Sequence, residues 1–335
     1  MKPFDDLLDR VRAMPRHIVL AEGDDQRIVT GALKAASEGL AQITLLSEAG
    51  SQGPLAEPHA ISGVPVQIIG PGNSDRLDSF AQSYFQLRRH KGVTPEEARK
   101  IVARPLEFSA MMVHEGLADG SVAGAVHTTG DTVRAAIQII GLSPGSKLVS
   151  SFFIMMLPEP LISDTAALFF ADCAMVVDPD ASQLAQIAIA SADSVTALMG
   201  IKPAVAMLSF STNGSAKHPF VDKVREATSI VQSERPDLLV EGEMQLDAAL
   251  VANISAAKAP DSRIKGCANV LVFPNLEAGN IGYKIAERIG GAKAIGPVLQ
   301  GLAKPANDLS RGCSADDVYR MIAMTVAQAQ TGRSV

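Results

Sequence analysis

The sequence has no tryptophan, three tyrosines and eleven phenylalanines, so aromatic residues make up only 4% of its 335 positions. Cores built from such a chain are aliphatic, which suits layered α/β architecture better than a β-sandwich. Cysteine is scarce too. Cys173, Cys267 and Cys313 fall at no metal-binding spacing and form no even framework, which excludes a disulfide scaffold and points to a reducing cytosol. Cationic residues are not in excess: 30 Lys and Arg against 36 Asp and Glu leave a net charge of −6. That balance argues against general binding to nucleic acid or to an anionic membrane, so an anionic ligand must be held by a few local arginines. Long apolar runs are also missing. The densest, Phe152 to Leu157, stops at Pro158-Glu159-Pro160, far short of a membrane span. Met1 to Arg16 contains no apolar stretch of signal-peptide type. The expectation is a soluble, cytoplasmic protein.

What is present is ample core material, 47% hydrophobic against 20% charged. At roughly 150 residues per domain the length predicts two domains. Phe4, Leu7, Leu8 and Val11 recur at helical spacing, so a short amphipathic helix opens the chain. Strand-length runs then alternate with helical stretches. Strands are expected at 17–21, 42–46, 66–69, 121–126, 147–156, 174–177, 204–210, 269–273 and 292–299. Helices are expected at 24–38, 74–90, 181–199, 218–233, 278–290 and 314–331, with a polar turn at His127 to Asp131. Such alternation reads as parallel or mixed sheets covered by helices on both faces. No repeat or linker marks a boundary; the best candidate is the turn Gly141-Leu142-Ser143-Pro144-Gly145.

Several common site motifs are absent. The turn after the first strand reads Ala21-Glu22-Gly23-Asp24-Asp25, so the glycine-rich dinucleotide fingerprint is missing. Gly141 to Lys147 is one residue short of a Walker loop, and neither a Gly-x-Ser-x-Gly elbow nor a His-x-x-x-His pair occurs.

Asn269 to Asp317 is the informative stretch. Two strand ends are each followed by a polar, glycine-containing turn and a helix, the position where open α/β sheets bind ligands. The first turn offers Asn275 and Asn280, with Tyr283 and Lys284 just inside the helix; the second offers Asn307, Ser310 and Arg311. Backbone N–H groups at a helix start favour anions, so Arg311 there suits a phosphate. Each residue also has a plainer reading. Ser314-Ala315-Asp316-Asp317 fits a capping box, and spacing alone favours Asp317 as a cap. A lone Arg is more often a surface ion pair, Ser310 a turn residue, Lys284 a solvated helix residue and Cys313 a small buried filler.

The strings Asn280-Ile281-Gly282-Tyr283-Lys284 and Asn307-Asp308-Leu309-Ser310-Arg311-Gly312-Cys313-Ser314 closely resemble those of the phosphate acetyltransferases. Further matches are Leu87 to Gly92, His127 to Arg134 and Leu148-Val149-Ser150, so the resemblance spans nearly the whole chain. Ala21 and Ala135 depart from the family, which often has proline there; neither change removes a reactive group. The resemblance implies reversible acetyl transfer between coenzyme A and phosphate, by the short form of the family without an added regulatory region. It implies two three-layer α/β domains with a cleft between them, as in isocitrate and isopropylmalate dehydrogenases. Residues 1–144 and 300–335 form the first domain, residues 145–299 the second, and the usual assembly is a homodimer. The catalytic serine, arginine and aspartate fall on Ser310, Arg311 and Asp317. Contacts to substrate, coenzyme A and phosphate fall on Arg88, Arg134, Thr129, Ser150, Asn280, Tyr283 and Lys284. No resident cofactor or metal is expected; coenzyme A and acetyl phosphate are substrates.

The chemistry is demanding. A thiol of pKa near ~8.5 and an ordinary Asp near ~3.9 leave proton transfer about 6 kcal/mol uphill. Partial burial of Asp317 and positive charge near the thiol narrow that gap, provided Arg311 faces the phosphate rather than Asp317. Direct transfer in a ternary complex is expected, the rival being an acyl-enzyme on Cys313. Among rival functions, phosphate butyryltransferases generally lack the Asn307 to Ser314 string. A regulatory module, like that of some malic enzymes, has no need of Ser310, Arg311 and Asp317. A nicotinamide dehydrogenase rests on fold analogy alone.

Overall fold

The computed structural model describes residues 2–48, 66–161 and 167–332. The chain opens with helix α1 (Lys2–Ala13), then β1 (Arg16–Leu20), α2 (Gln26–Ser37), β2 (Ala41–Leu46) and β3 (Val66–Ile69). Helices α3 (Leu77–Arg88), α4 (Pro95–Val102) and α5 (Pro105–His114) follow, then β4 (Gly120–Ala123) and α6 (Thr129–Ile139). The middle of the chain runs β5 (Ser150–Met156), β6 (Ala167–Ala171), α7 (Ala181–Met199), β7 (Ala204–Leu208), α8 (Pro219–Glu234) and β8 (Leu239–Met244). Short helices α9 (Leu246–Leu250) and α10 (Ala252–Lys258) lead to β9 (Val270–Val272), α11 (Leu276–Arg288) and β10 (Lys293–Gln300). A final β11 (Ala306–Asp308) and α12 (Ala315–Gln330) complete the elements.

These elements form two compact units, one of Asp6–Pro144 with Leu302–Ser334, the other chiefly of Gly145–Gly301. In the first, the described strands form one parallel sheet in the order β11-β4-β1-β2-β3. Ile18, Val19 and Leu20 of β1 are fully buried, as parallel strands covered on both faces require. Burying each such side chain is worth about 1.5–3 kcal/mol. Local chemistry sets the helix starts. Asp25 accepts the Arg27 N–H to cap α2, and Thr94 with Glu97 forms a capping box on α4.

The second unit holds a mixed sheet ordered β10-β5-β6-β9-β7-β8, with β5 antiparallel to both neighbours and the rest parallel. All seven residues of β5 are buried. The scarce aromatics gather here: Phe152 with Phe169, and Phe170 with Phe273, pack at 6.3 and 5.2 Å between ring centroids. No described helix is long and apolar enough to cross a membrane.

The alternation predicted from sequence is present, with local differences. The strand expected at 174–177 is a turn, and the strand lies earlier, at Ala167–Ala171. Asp172 is the reason: its carboxylate accepts the N–H groups of Ala174, Met175 and Val176, which removes them from any ladder. The strand expected to reach Val126 stops at Ala123, because Glu22 captures the next four N–H groups. The polar turn at 127–131 proves to be the start of α6, capped by Thr128. Helices α4, α5, α6, α9 and α10 and strands β8 and β11 were not anticipated.

Candidate active site

In the first unit, β2 and β3 lie on one side of β1 and β4 and β11 on the other, so the carboxyl ends of β1 and β4 form a switch point. Glu22, with a side chain 2% exposed, binds this edge together. It accepts from the N–H groups of Gly124, Ala125, Val126 and His127 at 2.7–3.1 Å, and from His127 Nδ1 at 2.8 Å. Burial pushes its pKa up, but the His127 side chain and these N–H donors outweigh burial and hold it below the ordinary carboxylate value. The same bond raises His127.

Arg27 ties in the loop after β11. Its guanidinium grips the Asp25 carboxylate at 2.7 and 3.0 Å and donates to the carbonyls of Ala125 (2.9 Å), Arg311 (2.7 Å) and Cys313 (3.2 Å). Three strand-end loops are thus joined by one planar fork, a role that lysine's point charge does not fill. Thr129 adds a second tie, donating to Asp308 at 2.6 Å. Asp308 is buried, its Oδ1 has no partner among the described residues, and burial pushes its pKa up to about 6. Gly124 allows this approach: its φ is 106°, and a Cβ there would lie 2.2 Å from Asp308 Oδ1.

Held in this way, Ser310 and Arg311 are exposed at the edge. Among the described residues, the Ser310 hydroxyl accepts only from the Gly312 N–H at 3.2 Å, and the Arg311 guanidinium has no partner. Asp317 completes the capping box read from spacing: its Oδ2 accepts the Ser314 N–H and hydroxyl, each at 2.8 Å. Its Oδ1 has no partner among the described residues. Cys313 is 7% exposed, and burial pushes its thiol pKa up. Arg134, on α6, is exposed and pairs with Asp131 at 2.7 Å. Arg88 ends α3, half-buried, with its Nε buried and without a partner among the described residues. Its field reaches Tyr84, which also feels Glu107; Glu107 in turn feels His127 and Asp131.

In the second unit, Asn280, Tyr283 and Lys284 lie on α11 at i, i+3 and i+4, and so share one face. Asn280 Oδ1 accepts from Lys284 Nζ at 2.7 Å. Tyr283 stacks on Phe153, with ring centroids 4.3 Å apart. Ser150 lies in the interior, 2% exposed, with its hydroxyl accepting from Gln300 at 2.9 Å. Glu22, Arg27 and Asp308 escaped sequence reasoning as site residues. Only Arg27 carried a local signal, a cation in the first turn of a helix, where the macrodipole opposes it.

An exposed arginine without a side-chain partner among the described residues, beside a serine on a loop leading into a helix N-terminus, is a combination suited to an anion. Comparison with known proteins places the chain in a family. The phosphate acetyl/butaryl transferase family model matches residues 4–326. The phosphate acetyltransferase of Clostridium acetobutylicum is 47% identical over 317 residues, 95% of either chain. A phosphotransacetylase structure from Streptococcus pyogenes is 43% identical, covers 98% of both chains and superposes with a TM-score of 0.90. At the level of fold alone, a 4-hydroxythreonine-4-phosphate dehydrogenase-like structure from Salmonella typhimurium aligns at TM-score 0.54 and 11% identity, over 93% of this chain and 99% of that one. The chain belongs to the phosphate acetyl/butaryl transferase family.

Proposed function

We propose that this protein is a phosphate acetyltransferase that catalyses acetyl-CoA + phosphate ⇌ coenzyme A + acetyl phosphate. The observation that carries the reading is Arg311: a free, exposed cation next to Ser310, held by Arg27 on the loop that leads into α12.

In the direction of thioester synthesis, the thiol of coenzyme A attacks the acetyl carbonyl of acetyl phosphate in a ternary complex. The S–C bond forms as the thiol proton passes to Asp317; the C–O bond to phosphate then breaks and phosphate leaves with the electron pair. Asp317 acts through Oδ1, since Oδ2 is committed to the cap. A positioned base of this kind contributes about 10²–10⁴-fold. Arg311 faces the leaving phosphate and the developing oxyanion, and Ser310 donates to the oxyanion. Arg88, Arg134, Thr129, Asn280, Tyr283 and Lys284 form the remaining contacts to the two substrates; Ser150, expected among them, is buried with its hydroxyl on Gln300 and is left out. Burial and the raised pKa of Cys313 support direct transfer over an acyl-enzyme, because the thiol is not the reactive thiolate.

We read residues 1–144 with 300–335, and 145–299, as the two domains, and the working form as a cytoplasmic homodimer. The free cysteines support the compartment. The exposed Ile281 and Ile285 on α11 and Ile289 at its C-cap, each four residues from the next, support a second copy.

The test is thioester formation from coenzyme A and a series of acyl phosphates, followed by ultraviolet absorbance. Acetyl phosphate is expected to be the best substrate. Preference for butyryl phosphate would reassign the acyl chain, and no turnover with any would defeat the proposal.

A further inference from the structure

Asp172, just past β6, is 3% exposed and has no part in the mechanism above. Five donors converge on its carboxylate: the Ser151 hydroxyl at 2.5 Å, the Ser151 N–H at 3.2 Å, and the N–H groups of Ala174, Met175 and Val176 at 2.8–3.2 Å. A carboxylate this deep persists only with its lone pairs matched, and burial still pushes its pKa up. The bonds fold residues 173–176 into a turn whose Cys173 carbonyl accepts from Asn280 Nδ2 at 3.0 Å. That bond fixes the amide, so Asn280 Oδ1 points at Lys284 Nζ, 2.7 Å away. Helix α11 rests directly on the same turn: a Cβ on Gly279 would lie 2.3 Å from the Asp172 carbonyl oxygen. One buried carboxylate therefore sets both the seat of α11 and the orientation of its amide.

We propose that Asp172 is a positioning residue for acetyl transfer, aiming the Lys284 ammonium through the Cys173 carbonyl and Asn280. The inference rests on the reading of Lys284 as a substrate contact. Lysine carries its charge on a flexible four-carbon stem, so its direction is set by the acceptor it meets. An asparagine at 172 has one acceptor oxygen and turns an NH₂ toward N–H donors on the other side, which displaces the turn and releases Asn280.

The test is a double-mutant cycle in the full-length protein, with Asp172→Asn and Lys284→Ala singly and together, read as KM and kcat for acetyl phosphate. Asp172→Asn is expected to lower kcat/KM about tenfold, mainly through KM, and to lose that effect in the Lys284→Ala background. Ser151→Ala removes one of the five donors and is expected to shift KM the same way by less, which keeps the test open if Asp172→Asn does not fold. Equal losses in both Lys284 backgrounds would overturn the proposal, since Asp172 would then act by general loosening. Unchanged kinetics in Lys284→Ala, with an active wild type, would overturn it by removing the substrate contact while leaving the acetyltransferase reading intact.

Discussion

Arg27 holds the backbone carbonyl of Arg311 at 2.7 Å, so the cation assigned to the phosphate is positioned by a second cation that never needs to touch substrate. The two guanidiniums do not compete, because that of Arg27 is spent on the Asp25 carboxylate and three carbonyls. Arg27→Lys keeps the charge and loses the fork. We expect kcat/KM for acetyl phosphate to fall about 10²-fold, the scale of a 1 Å misplacement, with the fold retained by circular dichroism. Wild-type kinetics in that variant would show that the loop holds its own shape.

Asp308 gives a pH-dependent stability. Its folded pKa is raised to about 6 from an ordinary 3.8, so the folded protein binds a proton that the unfolded chain releases. Stability from this group is full below pH 3.8, declines as pH rises, and above pH 6 is lower by about 3 kcal/mol. Asp308→Asn removes that cost and keeps an acceptor for Thr129. Its denaturation midpoint is expected to exceed that of wild type at pH 8, with the gap closing toward pH 5. A lower midpoint at pH 8 would mean that the carboxylate is matched better than its unpaired Oδ1 indicates.

Cys313 is expected to be dispensable for turnover. Cys313→Ala removes a buried thiol whose pKa is raised, and the rate of acetyl-CoA formation should stay within a few-fold of wild type. Loss of turnover, together with isotope-labelled acetyl trapped on the wild-type protein, would replace direct transfer by an acyl-enzyme.

Much of the fold was legible because β1, β2, α2 and α12 follow simple periodicity with capping residues close in sequence. What was missed depends on distant partners. Leu239–Met244 reads poorly as a strand because Glu241 and Glu243 interrupt it. Their charges are met by Ser262 and the Arg263 N–H, and by Arg225 and Ser211, none visible in a local window. Residues 174–177 look like a strand until Asp172 takes their N–H groups. In the candidate site, Ser310 and Arg311 stood in one specific string, with Asp317 three residues beyond its end. Glu22 and Arg27 act on loops about a hundred and nearly three hundred positions away, which no spacing rule reaches.

The central claim is that Asp317 serves as the base and not only as a cap, and Ser314 allows the two roles to be separated. Ser314→Ala breaks the same capping box and is expected to cost about 1 kcal/mol of stability with little loss of rate. Asp317→Asn is expected to lower the rate of acetyl-CoA formation from acetyl phosphate and coenzyme A by about 10²–10⁴-fold while remaining folded. The decisive measurement is that rate, by ultraviolet absorbance, for wild type and the two variants side by side. A crippled Asp317→Asn beside an active Ser314→Ala is the predicted result. Near wild-type rates in Asp317→Asn would contradict the account and leave Asp317 as the end of a helix.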